Sequence, residues 1–240
     1  MAIVFKRIKM QVNTWLVYKV LWVLKWIVIN VMKVIDIGMS WILVTVEDHF
    51  EDKKLGVETS SFTSFKNIQP NFAFGTYKDG TYYQPAAYKI LKRCLNCFQL
   101  TENDVFIDIG SGKGRVIFFF AQFKLYKVIG IEFHKELVNI AKRNLSHLKR
   151  NHCPIEIVEC DAAIADLSKG TIFFLYNPFG LKTLTAVLNN IKNSLISNPR
   201  TIRIIYINGV HADLFLKQDW LEKEDIIYYP ENSIWHNKNS

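Results

Sequence analysis

Apolar and polar positions divide the 240-residue chain into three stretches of different character. From Gln11 to Ile35 aliphatic and aromatic residues run on without Pro or Gly, which predicts one long helix, followed by a further apolar run over Ile37 to Val46. At about 100° per residue, Trp15, Tyr18, Lys19, Trp22, Lys25, Trp26, Asn30 and Lys33 share one side. Leu16, Val17, Val20, Val23, Leu24, Ile27, Val28, Val31 and Val34 share the other. Residues 47–80 exchange the aliphatics for charges, Ser, Thr, Gly and Asn, and read as a linker that becomes an ordered loop around Asn71 to Tyr77.

Residues 81–240 then alternate. Pro85 suits the first turn of a helix that runs to about Leu100. Strand-like runs follow at Val105–Ile109, Lys127–Glu132, Ile155–Glu159, Thr171–Tyr176 and Arg203–Asn208. Helical patterns separate them at Gly114–Phe123, Lys135–Lys149 and Leu181–Leu195, and Ile226–Tyr229 and Ser233–Trp235 offer two further short strands. Strands that are apolar throughout, alternating with helices, predict an α/β domain: a mostly parallel sheet covered on both faces.

Charge refines the reading of the leader. The net charge is +8, and residues 1–46 hold Lys6, Arg7, Lys9, Lys19, Lys25 and Lys33 against Asp36, a local +5 that leaves +3 for the rest. An enzyme of nucleic acids concentrates basic residues on its folded domain, so no nucleic-acid partner is expected. Basic and aromatic residues on one side of an apolar helix suit a helix lying in the headgroup layer of an anionic membrane. Packing against the catalytic domain or a second copy is the alternative. Lysines interrupt every window long enough to span a bilayer, and the absence of a small-residue cleavage site argues against a secretory signal. Cys94, Cys97, Cys153 and Cys160 form no disulfide framework, and thiols of that kind fit a reducing compartment, hence a cytoplasmic protein peripheral to the membrane.

The chemistry gathers at strand ends. Asp108-Ile-Gly110-Ser111-Gly112-Lys-Gly114-Arg115 joins the first strand to a helix, where glycines admit a ligand to the backbone. A dinucleotide fingerprint needs Gly or Ala where Arg115 stands, which argues against a nicotinamide-dependent reductase. The run Asp108 to Gly114 resembles motif I of class I S-adenosylmethionine (SAM)-dependent methyltransferases, and further landmarks follow in order. Glu132 ends the second strand, where the family holds the ribose hydroxyls; Asp161 follows the third, where it places an acid near the adenine amino group. Asn177-Pro178-Phe179 ends the fourth, and is similar to the [D/N]-P-P-[Y/F] motif of amino-group methyltransferases without its second proline. The resemblance implies a Rossmann-like fold and SAM as cofactor. It assigns Asp108, Gly110, Ser111, Gly112, Gly114, Glu132 and Asp161 to cofactor binding, and Asn177, Pro178 and Phe179 to an amine acceptor.

Three local alternatives stand beside these assignments: Glu132 capping the next helix, Asp161 closing an Asx turn, and Asn177-Pro178 merely turning the chain after its strand. Tyr82-Tyr83-Gln84-Pro85 with the glycine turn is also similar to membrane-anchored protein-lysine methyltransferases, and the overall arrangement to an uncharacterised bacterial methyltransferase group. Tyr77, Tyr83 and Phe179 are candidate walls of an acceptor slot, and His211 a candidate base. The expected acceptor is a protein or peptide amine near a membrane. A lipid or other amphiphile is the alternative, and a non-catalytic nucleotide-binding module is a reading from another class.

Overall fold

The computed structural model describes residues 14–61, 83–227 and 232–238, so Tyr77 and the Asn71–Tyr77 loop lie outside the described residues. The chain divides into two compact units, Met1–Val46 and Glu47–Ser240. Helix α1 covers Thr14–Leu55. It passes Gly38 without a break, because one glycine costs only ~1 kcal/mol against alanine in a run of otherwise adequate helix formers. In the first unit both kinds of surface are open to solvent: Trp26 on one side, and Val23, Ile27, Val28 and Val31 on the other, are all exposed. Among the described residues no helix is long and apolar enough to cross a membrane.

The second unit begins with the last turns of α1. Helix α2 covers Tyr88–Cys94, and strand β1 covers Val105–Ile109. Helix α3 (Arg115–Phe120), strand β2 (Lys127–Glu132), helix α4 (Lys135–His147) and strand β3 (Ile155–Glu159) follow. Strand β4 (Ile172–Tyr176), helix α5 (Leu181–Ser197), strand β5 (Arg203–Ile207) and helix α6 (Ala212–Leu216) come next. Strands β6 (Leu221–Ile226) and β7 (Ser233–Asn237) close the chain.

The seven strands form one sheet ordered β3-β2-β1-β4-β5-β7-β6. The first five are parallel, and β7 enters antiparallel between β5 and β6. Because side chains alternate across a strand, each central strand feeds two cores. Phe106, Phe174 and Ile205 pack with α2 and α3 on one face. Ile107, Phe173 and Tyr206 pack with α5 and α6 on the other. Burial on both faces explains why the central strands β1, β4 and β5 are almost wholly apolar, whereas β3 at the sheet edge carries Glu156 and Glu159 and is only partly covered. The reversal of strand order falls between β1 and β4, and open α/β sheets bind ligands beyond the carboxyl ends of strands at such a point.

Candidate active site at the carboxyl edge of the sheet

The glycine turn leaves β1 at that edge. Gly110, Gly112 and Gly114 all have positive φ, a region that β-carbon-bearing residues enter at a cost. The turn is tied to β2: the N–H groups of Gly110 and Ser111 donate to the Ile131 carbonyl at 2.9 and 3.0 Å. Gly130 in β2 makes room for Ser111, since a β-carbon there would lie 2.7 Å from Ser111 Oγ.

The absence of a side chain at Gly112 serves a neighbour more than a ligand. A β-carbon there would sit 2.3 Å from the Tyr83 ring, so Tyr83 lies directly on the turn. Its hydroxyl donates to the Thr59 carbonyl at 2.8 Å, and the Lys113 ammonium sits 5.2 Å from its ring centre. Gly110 likewise makes room for Pro178, whose Cβ would be 2.7 Å from an added β-carbon. The cofactor turn and the motif at the end of β4 are therefore in direct contact.

Two carboxylates meet beneath the turn. Glu132 accepts from the N–H of Gly112 at 2.9 Å and from that of His134, which precedes α4, at 2.8 Å. It thus does cap the next helix, and it braces the glycine turn as well. Asp108 is 3% exposed, and its Oδ2 is buried without a hydrogen-bond partner, as is Ser111 Oγ. Burial, and then the Glu132 charge, push the Asp108 carboxyl well above its usual range. Burial raises Glu132 too, against the N–H groups of His134 and Gly112. Asp161 follows β3 and is buried; its Oδ1 accepts from Ala163 N–H at 2.9 Å, closing the Asx turn. The Cys160 N–H bonds the Glu132 carbonyl at 3.0 Å, which sets Asp161 one residue beyond the end of β2.

An unpartnered buried carboxylate is costly and invites a cation. SAM fits that demand, since its amino-acid end carries an ammonium. If SAM binds here, Asp108 would pair with that ammonium, the exposed backbone of Gly110 would admit the chain beside it, and Glu132 would offer its remaining lone pairs to the ribose hydroxyls. Once bound, SAM supplies an electrophilic methyl group on a sulfonium sulfur.

Asn177 and Pro178 are half-buried at the end of β4, whereas Phe179 is 4% exposed and belongs to the core with Leu175 and Leu184. Asn177 adopts a left-handed φ of 37°. Its Oδ1 accepts from the Tyr206 hydroxyl at 3.2 Å, a partner that the sequence did not suggest because Tyr206 sits among apolar strand residues. His211 precedes α6 and is half-buried.

Arg115 turns away from the glycine loop into a buried ionic cluster. Its guanidinium bonds Asp48, lies 3.5 Å from Asp52, and donates to Thr59 Oγ1 and Ser60 Oγ at 2.7 Å each. Tyr88 bonds both carboxylates, through its N–H to Asp48 at 2.9 Å and its hydroxyl to Asp52 at 2.8 Å. Lys113 bonds Ser61, so residues 47–61 are stitched to the start of α3 from two sides. The cysteines are free, burial pushes the Cys94 thiol up to about 12, and among the described residues no group of His, Cys, Asp or Glu could hold a metal ion.

The chain is similar to known proteins over part of its length. A family model described as histone methylation protein DOT1 matches residues 73–155. A histone-lysine N-methyltransferase, H3 lysine-79 specific, from Dictyostelium discoideum is 30% identical over 107 residues, covering 40% of this chain and 6% of that protein. A protein-lysine N-methyltransferase from Saccharolobus islandicus is 27% identical over 97 residues, covering 39% of this chain and 58% of its own length. The chain thus spans less than two thirds of these relatives. Among solved structures, an RNA methyltransferase from Salinibacter ruber in complex with S-adenosyl-L-homocysteine covers 64% of this chain and 92% of its own, with a TM-score of 0.44 and 20% identity. The family-model match runs through the glycine turn and the strands on either side of it, so the chain resembles SAM-dependent methyltransferases at the candidate site itself, within a Rossmann-like seven-stranded sheet.

Proposed function

We propose that the protein is an N-methyltransferase acting on lysine side chains of a protein or peptide at the cytoplasmic face of a membrane. The observation that carries this reading is the packing of Pro178 on Gly110, which sets Asn177 beside the cofactor turn. An Asn side-chain oxygen and the Pro178 carbonyl are acceptors suited to the N–H groups of an amine, and would aim its lone pair at the methyl carbon. In-line displacement needs no covalent intermediate, so alignment and exclusion of water supply most of the acceleration. Both curated relatives described above act on protein lysines by name.

A lysine acceptor must first lose a proton, which from a pKa of about 10.4 costs roughly 4–5 kcal/mol at pH 7. Removal from water lowers that cost. The membrane part of the reading is supported by the exposed Trp26, Val28 and Val31 of α1 and by the basic excess of residues 1–46. It is supported further by Ile164, Leu181 and Val210, exposed apolar residues that follow β3, β4 and β5 at the carboxyl edge. The same residues favour a second reading, a lipid or other amphiphilic acceptor.

Incubation with methyl-labelled SAM and membrane extracts separates the two. Label that is lost on protease treatment and survives lipase supports the lysine reading, and amino-acid analysis should then recover methyl-lysine. Label lost to lipase alone transfers the assignment to a lipid. No label in either fraction, from protein shown to bind SAM, points to a non-catalytic binding module.

A further inference from the structure

We infer that Tyr206 is a positioning residue for the acceptor site, its hydroxyl holding the Asn177 carboxamide in the orientation that methyl transfer requires. The inference rests on the reading of Asn177 as the group that receives the amine. Asn177 leaves β4 with φ 37°, a conformation that turns the chain sharply and by itself leaves the carboxamide free to rotate about its own bonds. Among the described residues the Tyr206 hydroxyl fixes it, donating to Asn177 Oδ1 at 3.2 Å.

The donor is held firmly. Tyr206 lies in β5 next to β4, with Tyr176 and Ile207 in register, so the hydroxyl reaches across one strand spacing. Its ring is fully buried and stacks on Phe215 with centroids 4.7 Å apart, and Phe215 stacks on Trp235 at 5.5 Å. Three stacked rings leave the phenol no room to swing aside. Burial pushes its pKa up to about 12, with the His211 backbone N–H acting in the other direction. The group is therefore a neutral hydroxyl, able to donate, across the working pH range.

The consequence for the acceptor is geometric. A carboxamide oxygen has two lone pairs; Tyr206 occupies one and leaves the second for an amine N–H. Holding the oxygen in place before the acceptor arrives avoids ordering it at the moment of reaction, which is how supporting groups sharpen a site.

Three variants test this: Tyr206→Phe, Asn177→Gly and the double variant. Tyr206→Phe keeps the ring stack and removes only the hydroxyl; glycine at 177 accepts the left-handed backbone and removes only the carboxamide. The first readout is the 15N heteronuclear NOE of the Asn177 side-chain amide, identified by its disappearance in Asn177→Gly. It should match the ordered backbone in the parent and fall toward that of a free side chain in Tyr206→Phe. The second is methyl transfer from labelled SAM to polylysine. Tyr206→Phe should lower kcat about tenfold, the scale of one hydrogen bond, leave KM for SAM within twofold, and have no further effect in the Asn177→Gly background. An unchanged NOE, or an equal loss of kcat on either background, overturns the inference. If polylysine is not methylated, or Asn177→Gly turns over normally, it is the acceptor reading that fails, and the NOE still decides whether Tyr206 orders Asn177.

Discussion

An Arg115→Met variant is expected to melt roughly 10 °C below the parent protein. Removing one partner of a buried ion pair costs about 3–5 kcal/mol, because the remaining charge is left without compensation. In a protein of this size each kcal/mol corresponds to about 2–4 °C. Arg115 is 2% exposed, and its loss would strand Asp48 and Asp52 together with the hydroxyls of Thr59 and Ser60. The deficit should depend on pH. Burial already raises the Asp48 carboxyl against the Arg115 charge, and without that charge it rises further. A carboxyl whose folded pKa exceeds its unfolded value loses stability as pH climbs through the folded value. The gap between variant and parent should therefore be wide at pH 8 and narrower near pH 5. Thermal melts at both values check this, and a gap that is absent or independent of pH would show the cluster to be dispensable.

The second large effect is expected at Asn177. Asn177→Gly should lower kcat by about two orders of magnitude, the scale of losing alignment at a reacting centre, with SAM affinity kept within twofold. Glycine is the informative substitution here. With φ at 37°, alanine would add backbone strain of about 1–2 kcal/mol and confuse loss of fold with loss of chemistry. Asn177→Asp keeps an acceptor oxygen and should retain part of the rate. Normal turnover by the glycine variant would remove Asn177 from the acceptor site. Gly112 is a poorer probe than its place in the turn suggests: any side chain there strikes the Tyr83 ring before it can block a ligand.

The parallel strands were legible because each is a short run rich in apolar, mostly β-branched or aromatic residues bounded by turn residues, and β1, β2 and β3 begin and end where that pattern does. Strand β6 was not. Glu222 to Asp225 are exposed and charged, as befits an edge strand that must not pair with another chain, and such a sequence reads as loop. The helix after Pro85 stops at Cys94, well short of Leu100, although the apolar spacing continues. There the Asn96 and Cys97 amides reach back three residues, to Arg93 and Cys94, and the helix tightens into a turn.

At the site, Asp108, Glu132 and Asn177 announced themselves by standing at strand ends. Glu132 and Asp161 also carry the local roles open to any acid in those positions, since one caps α4 and the other closes an Asx turn. What sequence could not convey is long-range. Asp48 and Asp52 fall at the start of the stretch that reads as a linker, yet they are buried against an arginine more than sixty residues away. Residues 47–55 are helical and, with those up to Ser61, are bonded to the cofactor turn's helix. Tyr206 was hidden for the opposite reason: a tyrosine in an apolar strand passes for core, and only the adjacent strand reveals what its hydroxyl holds.

SAM is expected to bind where Asp108 and Glu132 meet beneath the glycine turn, and isothermal titration of the parent protein and an Asp108→Asn variant with SAM, at pH 8, decides it. One site per chain in the parent, with affinity at least tenfold weaker in Asp108→Asn, is the predicted result; a folded parent that takes up no SAM, or a variant that binds it equally well, would contradict it.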